Sequence, residues 1–344
     1  GTTKELWVML LEKAWAKLFG SYEVISSGTT ASVLRDLTGA PTYTVFFTRA
    51  ESGELPKEYD ENWEIMRHAK QDGFIMCAGS KLAPPGSEGR DDEHTIHGIV
   101  CGHDYSLLDV VVPQYAQEPG ERIVKLRNPW GNTEWDGDYG DASTLWTEEL
   151  KEELQYEDAD NGIFYMPYRQ FVKYFADISI FKFRQDFHYS AVPIQVGPEH
   201  LLEGDPPIAV NFSMKSNPFL DDESESRGEC TLFLIQENER SHHEKNDSYT
   251  YAHYCFEVYG KDEEDGTWHH LATSPVSSAR EVHLDIAILP DHEYMAVIRC
   301  LSTREVFTRG IESGQEERRI VFGAYASHEF VVSAENDSEK IHQV

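Results

Sequence analysis

Beyond residue 207 the chain alternates apolar and polar positions with period two. Val210, Phe212 and Met214 alternate with Asn211, Ser213 and Lys215, and Val282, Leu284, Ile286 and Ile288 alternate with His283, Asp285 and Ala287. Alternation of this kind gives a strand one face for a core and one for water. Similar runs at 231–236, 251–259, 293–301, 320–326 and 330–332 bring the expected total to about seven or eight strands. With no helix between them, an antiparallel β-sandwich is the physical expectation.

The first half mixes periods. Residues 4–19 set Leu6, Trp7, Leu10, Leu11, Ala14, Trp15, Leu18 and Phe19 on one wide helical face that ends at Gly20, which predicts a packed helix. Residues 28–39 read as a loop and a short helix capped by Thr30, with Val33, Leu34 and Leu37 inward and Gly39 as the stop. A second amphipathic helix spans 58–70 and a strand 73–78. Pro84-Pro85-Gly86 and Asp91-Asp92-Glu93 make 81–93 a surface loop. Runs 96–112 and 122–126 are strands joined by a polar loop at 113–120. A charged helix at 147–156 and aromatic strand material at 163–183, with a short helix at 168–175, follow. The Pro- and Gly-rich stretch 193–207 marks a junction, so the expected domains are 1–186 and 187–344.

Composition narrows the function classes. A chain of 344 residues with 40% hydrophobic and 12% aromatic residues can bury two cores. A net charge of −31 argues against nucleic acid as a partner, because phosphate binding needs clustered Lys and Arg. It leaves solubility, or attraction for divalent cations and basic partners. Cys77, Cys101, Cys230, Cys255 and Cys300 form no paired framework, which points to a reducing compartment and a cytoplasmic location. No run approaches the roughly 20 apolar residues of a membrane span. No signal peptide is visible, and a targeting segment ahead of Gly1 stays open.

The chemistry concentrates in two segments, Gly102-His103-Asp104-Tyr105-Ser106 and Arg127-Asn128-Pro129-Trp130-Gly131. If their strands pair antiparallel, the residue opposite His103 falls at roughly position 130, beside Asn128. A histidine next to a primary amide suits a thiol protease. The imidazole takes the proton of a cysteine nucleophile, and the amide accepts the Nδ1 proton and fixes the tautomer. Trp130 would cover that bond. A lone strand histidine is usually core, but Asn-Pro-Trp-Gly at this distance shifts the reading to a site. Cys101 lies in the same strand two residues from His103, roughly 6.5 Å along the chain, which spoils proton transfer. Cys77 is no better.

The segment 134–141 carries four acids and two glycines, the oxygen-rich composition a hard cation such as Ca²⁺ wants, although not at EF-hand spacing. A solvated turn is its other reading. The pairs His242-His243 and His269-His270 fall in polar loops without ligand spacing and receive no site.

Gly-His-x-Tyr-Ser followed by Arg-Asn-Pro-Trp-Gly-x-x-Glu-Trp, with the opening helix from Glu5 to Lys17, resembles the second half of the calpain protease core over about residues 5–180. The resemblance implies an α+β fold: the His/Asn half of a papain-like core, an antiparallel sheet with helices, followed by an all-β antiparallel C2-like sandwich. It implies His103 and Asn128 as catalytic residues, Trp130 as shield and cleft wall, and protein substrates cut at internal peptide bonds. The 81–93 loop would then lie near the cleft and gate substrate. The family's Gln-x-x-x-x-x-Cys-Trp nucleophile segment has no counterpart, so the Cys-bearing half must lie upstream or in another chain, and this chain alone is expected to be inactive. The family's calcium site implies Glu134 and Asp141 as Ca²⁺ ligands. Its Asp-Gly-Glu-Phe segment here reads Asn161-Gly162-Ile163-Phe164, so Asp158 or Asp160 would have to substitute. The family's Thr-Ala-Gly-Gly entry to the sandwich is absent, while the acidic loop 220–229 resembles the one calpains carry there. The rival readings are an inactive calpain homologue acting as a regulator or scaffold, and a calcium- or phospholipid-binding module that contacts membranes through the sandwich.

Overall fold

The computed structural model describes residues 6–47, 55, 57–201, 208–216, 227–242, 249–309 and 317–333. The chain divides into two compact units, one of Thr29–Arg184 and one that joins residues up to Gly28 to those from Gln185 onward. It is an α+β chain whose second half is nearly all strand.

The first helix, α1 (Trp7–Phe19), forms as expected but is not packed. Leu6, Trp7, Met9, Leu10 and Leu18 are exposed, and only Ala16 and Phe19 are buried. Six consecutive apolar residues from Leu6 to Leu11 encircle its first turns, so they cannot all face one core.

In the Thr29–Arg184 unit, α2 (Thr30–Thr38) is capped by Thr29, whose side chain accepts the Ser32 N–H, one residue before the expected cap. Thr30 bonds Asp104 instead, and Leu37 is exposed rather than inward. Gly39 stops the helix at φ 72°. Strand β1 (Thr42–Phe46), not anticipated from the sequence, precedes α3 (Tyr59–Gln71) and β2 (Ile75–Ser80).

The run expected as one strand over 96–112 is three pieces: β3 (Thr95–Ile96), β4 (Ile99–Val100) and β5 (Asp104–Val111). Left-handed backbone at His97, Gly98 and Gly102 makes the breaks. Gly98 is required there, because a Cβ would lie 1.8 Å from the Glu134 carbonyl oxygen. Then come β6 (Ile123–Arg127), α4 (Glu148–Leu154) capped by Thr147, β7 (Ile163–Pro167), α5 (Tyr168–Tyr174) and β8 (Phe175–Phe181).

The long strands form one antiparallel sheet in the order β1-β8-β2-β5-β6-β7. Trp63 and Met66 from α3 and Phe171 from α5 pack on it against Tyr105, Leu126, Phe164 and Phe175. That core leaves the β5 start and the β6 end side by side.

The second unit carries β9 (His188–Val196), β10 (Ile208–Met214), β11 (Gly228–Gln236), β12 (Tyr254–Lys261), β13 (Trp268–Thr273), β14 (Glu281–Ile288) and β15 (Tyr294–Cys300). The short helix α6 (Arg304–Thr308), β16 (Arg318–Ala326) and β17 (Phe330–Ser333) complete it. Two antiparallel sheets, β13-β12-β15-β10-β17 and β14-β11-β16-β9, form the sandwich. Val210, Phe212 and Phe256 of one meet Leu232, Leu234 and Phe322 of the other in a single core.

Two of these strands escape the sequence reading. β9 contains Pro193, which resembles a loop residue, but it is an edge strand where a missing N–H is tolerated. β13 is the opposite kind of edge, polar and exposed, and it holds His269 and His270 in a strand rather than a loop. His242 closes a 3₁₀ turn, whereas His243 and positions 220–226 of the acidic loop lie outside the described residues. All five cysteines are free. Among the described residues no helix is long and apolar enough to cross a membrane.

Candidate active site

His103 immediately precedes β5 and Asn128 immediately follows β6. These strands pair Ser106 with Arg127, a register that continues toward His103 opposite the Asn128 loop. The side chains meet, with His103 Nε2 3.0 Å from Asn128 Oδ1. Asn128 is fully buried, and its amide orientation is fixed by two further bonds. Oδ1 accepts the Trp130 N–H at 3.1 Å, and Nδ2 donates to the Thr133 carbonyl at 3.1 Å. With Oδ1 held as an acceptor, His103 must donate from Nε2, leaving the Nδ1 lone pair free. This corrects the expectation that Nδ1 faces the amide: the ring spans the gap to Asn128 with its distal nitrogen.

The Asn128 backbone is also held, its N–H donating to the Gly162 carbonyl at 2.8 Å and its carbonyl accepting from Gly131 N–H at 3.0 Å. Trp130 lies over the imidazole, with ring centroids 4.5 Å apart and a 41° tilt, and is itself 51% exposed. The edge-on Tyr105 ring, 5.1 Å away, limits the imidazole from within the sheet.

Both nearby cysteines have thiols raised above their ordinary range. Cys101 is buried in a turn, not a strand, and burial followed by the charge of Asp91 raises its thiol. Burial and then Asp104 push the Cys77 thiol up to about 12.

Glu134 and Asp141 come together. Glu134 Oε1 accepts the Gly162 and Asn161 N–H groups at 2.6 and 3.1 Å, and Asp141 Oδ1 accepts the Tyr156 hydroxyl at 3.0 Å. Burial first, and then the hydrogen bond and charge of Asp141, raise the Glu134 carboxyl. Two carboxylates brought together in this way are the oxygen-donor chemistry a hard cation takes up. The Asn161 side-chain oxygen is occupied by the Ile163 N–H at 2.8 Å. Asp158 and Asp160 do not complete a three-ligand group with the pair. Among the described residues that grouping occurs only at the exposed Asp262, Asp265 and His269.

The 81–93 loop forms one side of an apolar groove of about 620 Å³, with Leu82, Pro84 and Pro85 facing Ile96, Ile99 and Tyr174. The loop is tied to the His103 turn by the Gly102 N–H, which donates to the Lys81 carbonyl at 3.0 Å. Thr133 and Gly162, which hold Asn128, carried no signal in the sequence: both act through backbone atoms.

At this sheet end a buried amide aligns an imidazole, a geometry that suits a general base. The chain belongs to the calpain family of cysteine proteases: the model described as "Calpain family cysteine protease" matches residues 1–182 of its 344. It is 38% identical over 178 residues to "Calpain-type cysteine protease DEK1" of Zea mays, covering 51% of this chain and 8% of that protein. It is 34% identical over 182 residues to "Calpain-1 catalytic subunit" of Rattus norvegicus, covering 51% and 23%. Identity to "Calpain-B" of Drosophila melanogaster is 33% over 190 residues, covering 51% and 18%. The chain therefore spans less than a quarter of the length of these relatives. A solved structure of the Yersinia pseudotuberculosis-derived mitogen aligns over 40% of this chain and 86% of its own at 8% identity, with a TM-score of 0.22 that carries no argument.

Proposed function

We propose that this chain is the His/Asn half of a calpain-type cysteine endopeptidase that performs limited cleavage of intracellular proteins in the cytoplasm. The observation that carries the reading is the 3.0 Å contact from His103 Nε2 to an Asn128 amide already locked by Trp130 and Thr133. In the working enzyme His103 Nδ1 takes the proton of a cysteine thiol, giving the thiolate and imidazolium pair, and later returns a proton to the leaving amine. Asn128 orients the ring. Trp130 shields the bond from water and forms a cleft wall, and the 81–93 loop gates the groove beside it. The nucleophile comes from a Cys-bearing half, upstream or in another chain, and the present chain alone is inactive. The high thiols of Cys77 and Cys101 support that division.

Glu134 and Asp141 are the residues that would hold Ca²⁺, whose charge would neutralise their paired carboxylates and stiffen the segment between Asn128 and Gly162. The sandwich is the C2-like domain, with calcium-dependent membrane contact as its role. The alternative, an inactive homologue with a regulatory or scaffold role, gains from the same raised thiols.

The test is casein cleavage, with and without calcium, by the chain joined to its upstream Cys-bearing segment. Activity that disappears in His103→Ala supports the protease. An upstream segment with no cysteine, or no cleavage under any condition, leaves the inactive homologue as the better account.

A further inference from the structure

We propose that Ser80 is the positioning residue for His103, an inference that rests on reading His103 as the proton-transfer group. Ser80 is the last residue of β2, 7% exposed, at the point where pairing with β8 slips by one residue between Gly79 and Ser80. An irregularity of that kind bends the strand locally and re-aims a side chain next to a site. Here it turns the hydroxyl toward the Val100–His103 turn.

Both backbone polar groups of His103 end on this one residue. The His103 N–H donates to Ser80 Oγ at 2.9 Å, and the Ser80 N–H donates to the His103 carbonyl at 2.9 Å. The Ser80 hydroxyl has one proton and two acceptors in reach, the Val100 carbonyl at 2.6 Å and the His103 carbonyl at 3.0 Å. The His103 carbonyl is already served by the Ser80 N–H, so the hydroxyl closes on Val100. One side chain thus clamps the first and last residues of the turn that carries the imidazole. The Tyr105 hydroxyl, which accepts the Val100 N–H at 2.8 Å, braces the same turn from the far side.

The importance of the clamp follows from the partner. Asn128 is buried and held through its Oδ1, Nδ2, N–H and carbonyl groups, so it cannot follow a displaced imidazole. Alignment of the 3.0 Å contact therefore depends on the His103 backbone, and that backbone depends on Ser80. Removing the hydroxyl takes the partner from the half-buried His103 N–H and the buried Val100 carbonyl, and the turn must rotate to satisfy them.

The experiment is ¹⁵N NMR of the imidazoles in the 344-residue chain, with folding checked by circular dichroism. In the unmodified chain His103 is expected as a single Nε2–H tautomer. Ser80→Ala, and Ser80→Cys, which keeps the volume, should convert it to a mixture, and Ser80→Thr should restore the single form. Ile180→Ala, a core truncation on β8, should lower the melting temperature without changing the tautomer. Wild-type ring signals in both disruptive variants, or the same mixture in Ile180→Ala, would overturn the proposal. With the Cys-bearing half supplied, Ser80→Ala should reduce kcat about 10- to 100-fold with KM nearly unchanged. An unchanged kcat, or a loss carried by KM, would also overturn it. If the tautomer responds as stated but the complete protein cleaves nothing, the protease reading fails and the positioning role stands.

Discussion

The two units of this chain are made rigid by different means. The sandwich is held by apolar area, one continuous core running from Ile194 to Phe330. Its described residues include one non-glycine left-handed position, Asp291, and one left-handed glycine, Gly266. The His103 unit has a core of its own, yet the segments around the site rely on left-handed turns at His97, Gly98, Gly102, Gly131, Thr133 and Gly162. Side chains bonded to backbone, from Ser80, Asn128 and Glu134, stitch those turns together. Regular strands suffice to close a core, but aiming an imidazole at one amide oxygen takes irregular backbone, and irregular backbone has to be tied down.

The largest expected effect tests the sandwich side of the contrast. Phe322 on β16 is fully buried, edge to face with Phe256 at 5.5 Å and near Phe212 at 6.2 Å. Phe322→Ala should cost about 3–5 kcal/mol, the range for a large core truncation that leaves a cavity. Urea denaturation measures it. A loss below about 1 kcal/mol would mean that the sandwich is not organised around this layer of aromatics.

The same contrast explains what could be read in the sequence. Period-two runs such as 210–214 and 282–288 found their strands because one face of each meets a single core. β9 is hidden in the sequence because Pro193 signals a loop unless the strand is an edge, and edge position is a property of the sheet. The wide apolar face of α1 predicts packing, but periodicity cannot say whether anything covers that face. At the site, His103, Asn128 and Trp130 were legible because their side-chain chemistry is distinctive and their motif compact. Ser80 was not legible, since a serine that ends a strand 23 residues before its partner has no local signature. The choice of Nε2 over Nδ1 depends on the Trp130 and Thr133 bonds to Asn128, which arise only when the Asn128 loop is folded.

Two glycine substitutions sharpen the comparison. Gly162 and Gly266 share nearly the same backbone, at φ 81° and 75°. At Gly266, on the hairpin between β12 and β13, an added Cβ meets nothing within 4 Å, so Gly266→Ala should cost only the left-handed strain of roughly 1–2 kcal/mol. At Gly162 the Cβ would sit 2.6 Å from the Asn128 carbonyl oxygen and 3.0 Å from Gly131 Cα, both backbone. Gly162→Ala should therefore cost more, about 2–3 kcal/mol, and also disturb the His103 tautomer by pushing Asn128 aside. Paired urea denaturation curves and the His103 ring signals decide it. Equal costs with an unmoved imidazole would show that the Asn128 loop has more slack than its hydrogen bonds suggest.

The smallest effect is electrostatic and has opposite signs in the two units. Asp104 on β5 and Asp177 on β8 flank Gly79 on β2, where a Cβ would lie 3.0 Å from Asp177 Oδ2 and 3.3 Å from Asp104 Oδ1. Asp104 holds the Thr30 N–H at 3.2 Å, and the Cys77 thiol is the other titratable group against it. Burial, and then the charge of Asp104, push Asp177 up to about 6 from its ordinary 3.8. The folded state therefore keeps a proton that the unfolded chain has already released. The stability this contributes is fully present below about pH 4, and falls as pH rises from about 4 to about 6. In the sandwich, the hydrogen bond from Ser216 holds Asp291 below the usual range, so its contribution is present above the ordinary carboxylate pKa and fades as pH falls. Asp177→Asn should remove the decline across that window and leave the variant the more stable protein at pH 7.5. Urea midpoints at pH 4, 5, 6 and 7.5 test this. A decline that persists unchanged in Asp177→Asn would place the titrating group elsewhere and remove the carboxyl pair behind His103 from the account of how this unit is held.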